Sequence, residues 1–219
     1  MKVGLFTIGQ SPREDVVSEM TPFLLPHIEI VEEGLLNNLT SEEIQLLKPD
    51  FGETPLATRL RDGSQVQLGE KKISPLFYEA VDRMRTKVNV RAVGILCTHK
   101  FLETRFSFPV IFPFDYLQFL ISKIFPIQRL GIVIPLENQV EMAIAKWEKE
   151  KVIVEAKSPY TEGKPWVEIA EKFNQENVEA VIMDCIGYKM KDKEDLQRLF
   201  SAPIILPRTI LAQAINQLY

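Results

Sequence analysis

The two cysteines of the chain occupy matching places in an internal repeat. Residues 89–97, NVRAVGILC, align without gaps with residues 177–185, NVEAVIMDC, and five of the nine positions are identical. Each segment is typical of a helix end that leads into a buried strand. The repeat therefore predicts that Cys97 and Cys185 lie at equivalent strand ends.

Two thiols presented by two similar lobes could act on opposite faces of one substrate carbon. A thiolate beside the N-terminus of a helix has a lowered pKa, so one cysteine could accept a proton while the other, still a thiol, delivers one. The alternative is a pair of inert core cysteines, because unpaired cysteine is among the most frequently buried residue types. The residues alone leave both interpretations open.

The elements that must position these thiols form an alternating pattern. Short runs rich in Val and Ile alternate with segments of helical period, which predicts an α/β fold with mainly parallel sheets covered by helices. Strands are predicted near residues 2–8, 27–32, 91–97, 129–134, 151–156, 179–184 and 203–206. Helices are predicted near residues 12–24, 41–48, 75–88, 114–125, 137–150, 164–176, 192–200 and 207–217.

A second, weaker match defines two halves of the chain. Residues 3–6 match residues 130–133, and the span from Gly4 to Cys97 is longer than that from Gly131 to Cys185, which predicts an insertion at about residues 34–72. We predict two pseudo-symmetric Rossmann-like lobes that face a cleft. The N-terminal lobe comprises residues 1–112 plus 203–219, and the C-terminal lobe comprises residues 113–202.

Two segments have the pattern of a helix N-terminus. Ser11-Pro12-Arg13-Glu14 follows the first strand and has the form of a capping box with proline at the first helical position, and Thr40-Ser41-Glu42-Glu43 is a second box. A helix that starts at the carboxyl end of a parallel strand favours an anion. Candidate contacts for a carboxylate or phosphate are Thr7, Gly9, Gln10 and Ser11. The alternative is a capped structural helix with nothing bound.

The predicted insertion contains a second candidate anion-binding group. Its segment of residues 55–63, PLATRLRDG, places Arg59 where its guanidinium could bind a substrate carboxylate through two parallel hydrogen bonds. The other interpretation is an exposed Arg/Asp turn at the surface. Both remain open on the sequence.

Composition and motifs exclude several classes of function. The net charge of −4 is spread along 219 residues, which argues against a nucleic-acid partner. Two cysteines and two histidines are few for a metal cluster or a disulfide framework, and phosphate-loop, dinucleotide, zinc-protease and serine-hydrolase motifs are missing. Prolines interrupt the apolar residues 106–127, and no export signal is recognisable. We expect a cytoplasmic protein without metal, cofactor or membrane span.

Several segments together resemble the AroM family of bacterial proteins. They are TIGQSPRED at residues 7–15, PLATRLRDG at 55–63, LCT at 96–98, KW at 146–147, SPY at 158–160 and DCIGY at 184–188. The family in turn is similar to the aspartate/glutamate racemase superfamily, whose two α/β lobes each place a cysteine at the cleft and whose members work without a cofactor. The resemblance implies a site architecture but no substrate, since the AroM family has no firmly assigned reaction.

The resemblance implies Cys97 and Cys185 as the catalytic pair. The implied substrate-binding residues are Thr7, Gly9, Gln10, Ser11, Arg13, Thr58, Arg59, Thr98, His99, Tyr160, Ile186, Gly187 and Tyr188. His99 departs from the family, which usually has glycine there; it either assists proton transfer or is an exposed, idle loop residue. Tyr160 and Tyr188 either close the cleft on a ligand or cap the core.

Two functions follow from these residues. The first is a cofactor-independent racemase, isomerase or related lyase that acts α to the carboxylate of a small acid. The second is a non-catalytic binding or regulatory protein that takes up a small metabolite in the same cleft. The aromatic segment of residues 101–125 is predicted to form core or the seam of a homodimer.

Overall fold

The structure, a computed structural model, describes residues 1–53, 55–101, 106–124, 127–147 and 151–219. The strands are β1 (Lys2–Thr7), β2 (Glu29–Gly34), β3 (Pro55–Arg59), β4 (Gln65–Gly69), β5 (Ala92–Ile95), β6 (Val110–Ile111), β7 (Arg129–Ile134), β8 (Lys151–Ala156), β9 (Ala180–Met183) and β10 (Ile204–Ile205). The α-helices are α1 (Glu14–Met20), α2 (Ser41–Leu46), α3 (Glu70–Val88), α4 (Pro113–Phe119), α5 (Val140–Trp147), α6 (Trp166–Gln175), α7 (Met190–Gln197) and α8 (Pro207–Asn216). Short 3-10 helices cover Thr21–Phe23 and Glu137–Gln139, and a π-helix covers Leu120–Ile124.

Two four-stranded parallel sheets have the same internal order. The first sheet runs β2-β1-β5-β6, and the second runs β8-β7-β9-β10. The register matches too, because Gly4 pairs with Val93 in the first sheet and Gly131 pairs with Val181 in the second. Val93 and Val181 are equivalent positions of the sequence repeat. The predicted α/β fold with mainly parallel sheets is confirmed.

Each sheet is covered partly by the helix that follows the other sheet's last strand. Helix α4 follows β6 but packs Phe114 and Leu117 into the apolar cluster of the second sheet. Helix α8 follows β10 but packs Leu211 and Ile215 against β1 and β5 of the first sheet. This exchange joins the two halves through their cores. Because β10 pairs with β9, residues 204–205 lie in the second sheet; the predicted lobe boundaries remain a prediction.

An antiparallel hairpin, which was not predicted, lies in the segment assigned to the insertion. Strands β3 and β4 pair from Pro55–Gly69 to Arg59–Gln65, and Gly63 has a positive φ of 90° in the turn that joins them. Apart from Leu56 and Leu68 the hairpin has few buried apolar residues, so its strands lack the Val/Ile runs of the parallel sheets. The two-residue β6 was missed because it is too short for a periodic pattern.

The hairpin lies directly against the end of β1. The backbone N–H of Gln10 donates to the carbonyl of Arg59 at 3.2 Å. A Cβ on Gly9 would lie 2.4 Å from the carbonyl oxygen of Arg59 and 2.5 Å from Thr58 Oγ1. Glycine at this position therefore permits the close approach of the hairpin, which brings β3 over the carboxyl ends of the strands.

The two capping predictions had different outcomes. The Thr40 capping box is confirmed, with Thr40 Oγ1 accepting from Glu43 N–H and Glu43 Oε2 accepting from Thr40 N–H. The box at Ser11 is wrong, because α1 begins at Glu14 and its N-cap residue, Arg13, makes no side-chain capping bond. The Arg13 N–H instead donates to Glu32 Oε2 on β2. A partner distant in sequence thus replaced the local cap.

Other helix bounds also shifted. Helix α3 begins at Glu70 and contains Pro75, which had been predicted as its start. The last residue of the predicted helix 114–125, residues 148–150 of the predicted helix 137–150, and part of the aromatic segment 101–125 lie outside the described residues. Within the described ranges, the helices are all too short or too polar to cross a membrane.

Candidate functional site

Cys97 and Cys185 face the same cavity from the two halves of the molecule. Cys97 follows β5, Cys185 follows β9, and both line one cavity of about 40 Å³ at the carboxyl ends of the parallel strands. Each sulfur accepts a hydrogen bond at 3.4 Å from the backbone N–H two residues further on, that of His99 or of Gly187. The sequence repeat therefore extends to the local conformation of the thiols.

Burial raises the pKa of both thiols, so the predicted lowering is wrong. The pKa of Cys97 rises to about 12, chiefly because burial destabilises a thiolate, and the nearby Cys185 adds to the rise. Burial also raises the pKa of Cys185, against the opposing effects of the Gly187 N–H, of Tyr160 and of Arg13. Residues 98–101 and 186–189 are not helical, so neither thiol has the helix N-terminus on which the prediction depended.

A buried ion pair joins the two cysteine-bearing segments. Lys146 Nζ lies 2.7 and 2.8 Å from the carboxylate oxygens of Asp184, and Trp147 Nε1 donates to the same carboxylate at 2.9 Å. Lys146 Nζ also donates to the carbonyl of Thr98 at 2.7 Å, and Thr98 Oγ1 donates to the carbonyl of Asp184 at 3.2 Å. Thr98 follows one cysteine and Asp184 precedes the other, so these bonds fix the two segments relative to each other.

Arg13 is the second buried cation at the cavity. Its guanidinium donates from Nε and Nη2 to the two carboxylate oxygens of Asp15, each at 2.9 Å. Nη1 lies 3.4 Å from Thr7 Oγ1, and Nη2 lies 3.4 Å from the Tyr160 hydroxyl. The paired Asp15 holds the pKa of Arg13 above its usual value despite burial. Arg13 is therefore charged and directed by Asp15 and Thr7.

Tyr160 covers Cys185. Its hydroxyl lies 3.7 Å from Cys185 Sγ, and its ring lies 5.8 Å from the guanidinium carbon of Arg13. Burial raises the pKa of the Tyr160 hydroxyl, so it stays protonated and can donate to a thiolate. A Cβ on Gly187 would lie 2.4 Å from that hydroxyl. Glycine at position 187 therefore makes room for Tyr160 above the thiol.

His99 is buried at the cavity wall, so the interpretation of an exposed, idle loop residue is wrong. It is 9% exposed, and its ring meets the edge of Phe101 at 5.1 Å. Nε2 lies 3.1 Å from Glu70 Oε1, and this contact lowers the pKa of the Glu70 carboxyl. Neither Nδ1 nor Nε2 makes a hydrogen bond to the described residues, so the Nε2 contact with Glu70 is one of charge and proximity. Whether His99 takes part in proton transfer stays a prediction.

The segment predicted to bind an anion has other partners. The N–H groups of Gly9, Gln10 and Ser11 donate to Thr7 Oγ1, the carbonyl of Arg59 and Asn37 Oδ1, respectively. Helix α1, which begins only at Glu14, presents no free N-terminus there. In this structure, side chains and the hairpin occupy these backbone groups, as the alternative of a helix start with nothing bound expects, and their binding of a carboxylate stays a prediction.

The predicted residues divide into those that line the cavity and those that do not. Those that line it are Cys97, Cys185, Arg13, Thr98, His99, Tyr160 and Ile186. Those of the described chain that lie elsewhere are Thr7, Gly9, Gln10, Ser11, Thr58, Arg59, Gly187 and Tyr188. Several residues that lie outside the cavity hold cavity-lining residues in place. Thr7 Oγ1 lies 3.4 Å from Arg13 Nη1, and the Gly187 N–H donates to Cys185 Sγ.

For two members of the second group, the contacts agree with the structural alternative that the sequence left open. Tyr188 is fully buried in the second core, where its hydroxyl donates to the carbonyl of Lys157 at 2.6 Å, so it caps the core. Arg59 Nε donates to the carbonyl of Gly63 and Nη1 lies 3.4 Å from Asp15 Oδ2, so its guanidinium closes the hairpin turn. Neither side chain is placed to bind a ligand in the cavity.

Comparison with known proteins decides the family. The family model described as AroM protein matches residues 3–219. The chain belongs to the AroM family. No curated protein sequence matches this AroM-family chain.

Solved structures with the same fold are racemases and isomerases. The maleate isomerase of Pseudomonas putida has a TM-score of 0.64 at 10% identity, covering 100% of this chain and 92% of that one. The allantoin racemase of Klebsiella pneumoniae has a TM-score of 0.62 at 13% identity, covering 100% and 87%. The glutamate racemase of Francisella tularensis, in complex with D-glutamate, has a TM-score of 0.60 at 15% identity, covering 99% and 80%. At sequence identities this low, the similarity shows only that the fold is shared.

Sequence reasoning missed three polar residues of the AroM-family cavity. Lys146 and Asp184 lie in segments quoted for the family resemblance but were given no role, and Gln139 was not noticed. A charged residue directly after the apolar run of β9 was the available signal for Asp184, since a buried carboxylate needs a partner. Lys146 and Gln139 gave no such signal, because they lie on a helix and a turn of mixed composition.

The volume of the cavity and the polar groups that line it limit what can bind there. A volume of about 40 Å³ holds about three water molecules, so a larger ligand must displace lining side chains as it enters. Across the described ranges, no group of three or more His, Cys, Asp or Glu side chains is placed to hold a metal ion. The polar groups present are thiols, buried ion pairs, a phenol, an imidazole and an amide.

Proposed function

We propose that this protein is a cofactor-independent racemase or isomerase that acts at a carbon α to the carboxylate of a small acid. The observation that carries the proposal is the presence of Cys97 and Cys185 on one cavity, in the same local conformation. Two proton-transfer groups from opposite halves suit the removal of a proton from one face of a carbon and its replacement on the other.

The proton balance of the proposed reaction is closed by the two thiols. A thiolate at one cysteine takes the α-proton, so a C–H bond breaks and an S–H bond forms. The other cysteine then gives its thiol proton to the opposite face of the carbon and becomes the thiolate. One turnover in each direction restores the starting state, and no redox partner is needed.

Charged groups at the cavity support the formation of a thiolate and of an enediolate-like intermediate. Lys146 favours the thiolate of Cys97, and Arg13 favours that of Cys185. Arg13 Nη1 has one contact in the described chain, at 3.4 Å with Thr7 Oγ1, so it retains donor capacity for a substrate carboxylate. Preorganised donors of this kind stabilise charge that develops during the reaction.

The experiment that tests the proposal is α-proton exchange in D₂O, followed by NMR on separate enantiomers of small carboxylic acids. Wild type should exchange and invert both enantiomers. Cys97→Ser and Cys185→Ser should each lose inversion by about 100-fold or more. Each variant should still exchange one enantiomer with retention, because the remaining thiol can remove and return a proton on its own face. Circular dichroism checks that the variants fold.

Unchanged inversion in both serine variants would refute the two-thiol mechanism. A sharper result is that the two variants exchange opposite enantiomers. General damage to the cavity would instead lower the exchange rate of both enantiomers together. Serine keeps the approximate size and the donor of cysteine but is a far weaker acid, so the comparison isolates acidity.

A second candidate function is the binding of a small metabolite without turnover. It is favoured by the raised pKa of both thiols, which keeps them protonated near neutral pH. This function predicts that a small acid raises the melting temperature while no α-proton exchanges, and that both serine variants bind as the wild type does.

We keep the cytoplasm as the proposed location and a homodimer as a proposed assembly.

A further inference from the structure

Gln139 is a buried amide at the cavity with one half of its hydrogen-bonding capacity unused. It is 5% exposed, ends the 3-10 helix before α5 and lines the cavity with the two cysteines. Its Nε2 donates to the carbonyl of Pro55 at 2.8 Å. Its Oε1 has no hydrogen-bond partner among the described residues. Buried polar side-chain atoms usually have a partner, so this oxygen needs an explanation.

The orientation of the Gln139 amide follows from its partner. A carbonyl oxygen can only accept a hydrogen bond, so the NH₂ group must face Pro55 and the oxygen must face away from it. Pro55 begins β3 of the hairpin, whose next two residues, Leu56 and Ala57, line the cavity. The hairpin therefore fixes which end of the Gln139 amide is the acceptor, in a side chain that lines the cavity.

A second unpartnered polar side chain lies on the other half of the molecule. His99 lines the same cavity, and its Nε2 is 3.1 Å from Glu70 Oε1. Neither ring nitrogen makes a hydrogen bond within the described ranges. Gln139 and His99 therefore both bring unused hydrogen-bonding capacity to the lining of one cavity.

Two donors that line the same cavity are already used. Lys146 donates to Asp184 and to the carbonyl of Thr98, and the Thr98 hydroxyl donates to the carbonyl of Asp184. Moving either donor toward Gln139 would leave a buried carboxylate or carbonyl unpaired. A molecule that enters the cavity can supply the missing donor without breaking these bonds.

We propose that the substrate carries a hydroxyl or amino group that donates a hydrogen bond to Gln139 Oε1, which makes Gln139 a specificity-determining residue. This inference rests on the proposed function, because it adds a donor group to the small acid proposed there. It assigns the substrate to the hydroxy or amino acids rather than to plain carboxylic acids. A site built to bond a substrate donor discriminates strongly against analogues that lack it.

The test compares acids that share a carbon skeleton. The three-carbon set is lactate, alanine, 2-methoxypropanoate and propanoate, and the four-carbon set is malate, aspartate, 2-methoxysuccinate and succinate. Binding to wild type, Gln139→Met and the control variant Met142→Leu is measured by calorimetry, and α-proton exchange in D₂O is measured on the same samples. The methoxy acids keep the oxygen but lose the donor, so they isolate the hydrogen bond.

Wild type should bind the hydroxy or amino acid of at least one set about five- to tenfold more tightly than its methoxy partner. Gln139→Met should reduce this ratio to about one, whereas Met142→Leu, which changes an apolar residue of the same cavity lining, should retain it. A ratio that is the same in wild type and Gln139→Met overturns the inference. So does a failure of every probe to bind.

The outcomes separate the inference from the proposed function. If wild type exchanges the α-proton but Gln139→Met leaves the ratio of affinities unchanged, the racemase or isomerase proposal stands and the inference about Gln139 is overturned. A Gln139-dependent ratio without exchange supports the inference about the ligand and overturns the catalytic proposal in favour of binding alone. If a water molecule is the usual partner of Gln139 Oε1, the donor acids and the methoxy acids should bind equally. That result also overturns the inference.

Discussion

Cys97 and Cys185 each accept a hydrogen bond of 3.4 Å from the N–H two residues further along the chain, at the ends of equivalent strands. The surroundings of the two sulfurs differ. Lys146 favours the thiolate of Cys97, whereas Tyr160 and Arg13 favour that of Cys185. The two thiols thus share a backbone geometry but have different charged neighbours, which gives each a distinct set of testable properties.

The first prediction concerns the Lys146–Asp184 ion pair. Asp184→Asn should lower the free energy of unfolding by about 3–5 kcal/mol, because it leaves a buried ammonium without its counter-charge. Denaturant unfolding measures the change. The matched control is Glu176→Gln, which breaks the exposed pair with Lys151 and should cost at most about 1 kcal/mol. Equal costs for the two substitutions would contradict the role given to Asp184.

The second prediction concerns stability at alkaline pH. The pKa of Cys97 is raised from 9.0 to about 12 in the folded state, so between these values the unfolded thiol loses its proton first. The unfolded state then binds fewer protons, and the free energy of unfolding falls as pH rises above 9. From pH 9 to 10, wild type should lose about 1 kcal/mol more than Cys97→Ser. Parallel curves for the two proteins would show that the folded protein does not raise the pKa of Cys97.

The third prediction concerns the space that Gly187 leaves for Tyr160. Gly187→Ala places a Cβ 2.4 Å from the Tyr160 hydroxyl, so Tyr160 must move away from Cys185. We expect a loss of about 1–3 kcal/mol in stability and faster alkylation of Cys185 by iodoacetamide, followed by mass spectrometry. Gly163→Ala is the control, because a Cβ at Gly163 meets nothing within 4 Å. Similar alkylation rates in the two variants would show that Tyr160 does not cover the thiol.

The fourth prediction concerns the hairpin. Gly9→Ala places a Cβ 2.4 Å from the carbonyl oxygen of Arg59, a backbone atom that can move only with β3. The hairpin should shift from the cavity, and cleavage at Arg61 by trypsin should become faster, as measured by limited proteolysis. Gly163→Ala again serves as the comparison. A cleavage rate that stays at the wild-type value would mean that the hairpin accommodates the methyl group without moving.

The sequence predicted the parts of the fold that depend on short-range patterns. The repeat around Cys97 and Cys185 predicted two equivalent strand ends, and the order and register of the sheets agree with it. Apolar runs identify buried parallel strands because those strands are covered on both faces. The capping box at Thr40 was also recognisable, since its bonds join residues three apart.

Distant partners decided two features that local patterns could not. The Ser11 box is wrong because Glu32 and Asn37, which lie on or after β2, accept from the N–H groups of Arg13 and Ser11. Arg59, for which the sequence left a ligand role and a surface turn open, bonds to its own hairpin turn and to Asp15. In both cases an acceptor brought close by the fold takes the donor.

By itself, the sequence determined the α/β architecture, the equivalence of its halves and the placement of a cysteine at the end of one strand in each half, because hydrophobic periodicity and local repeats record these features directly. Only the tertiary structure decided that the surroundings of both thiols raise their pKa, that Lys146 pairs with Asp184 and that Gln139 Oε1 has no partner among the described residues. The pKa of a thiol and the partners of a buried polar group are set by burial and by contacts between residues far apart in the chain, which no local pattern encodes.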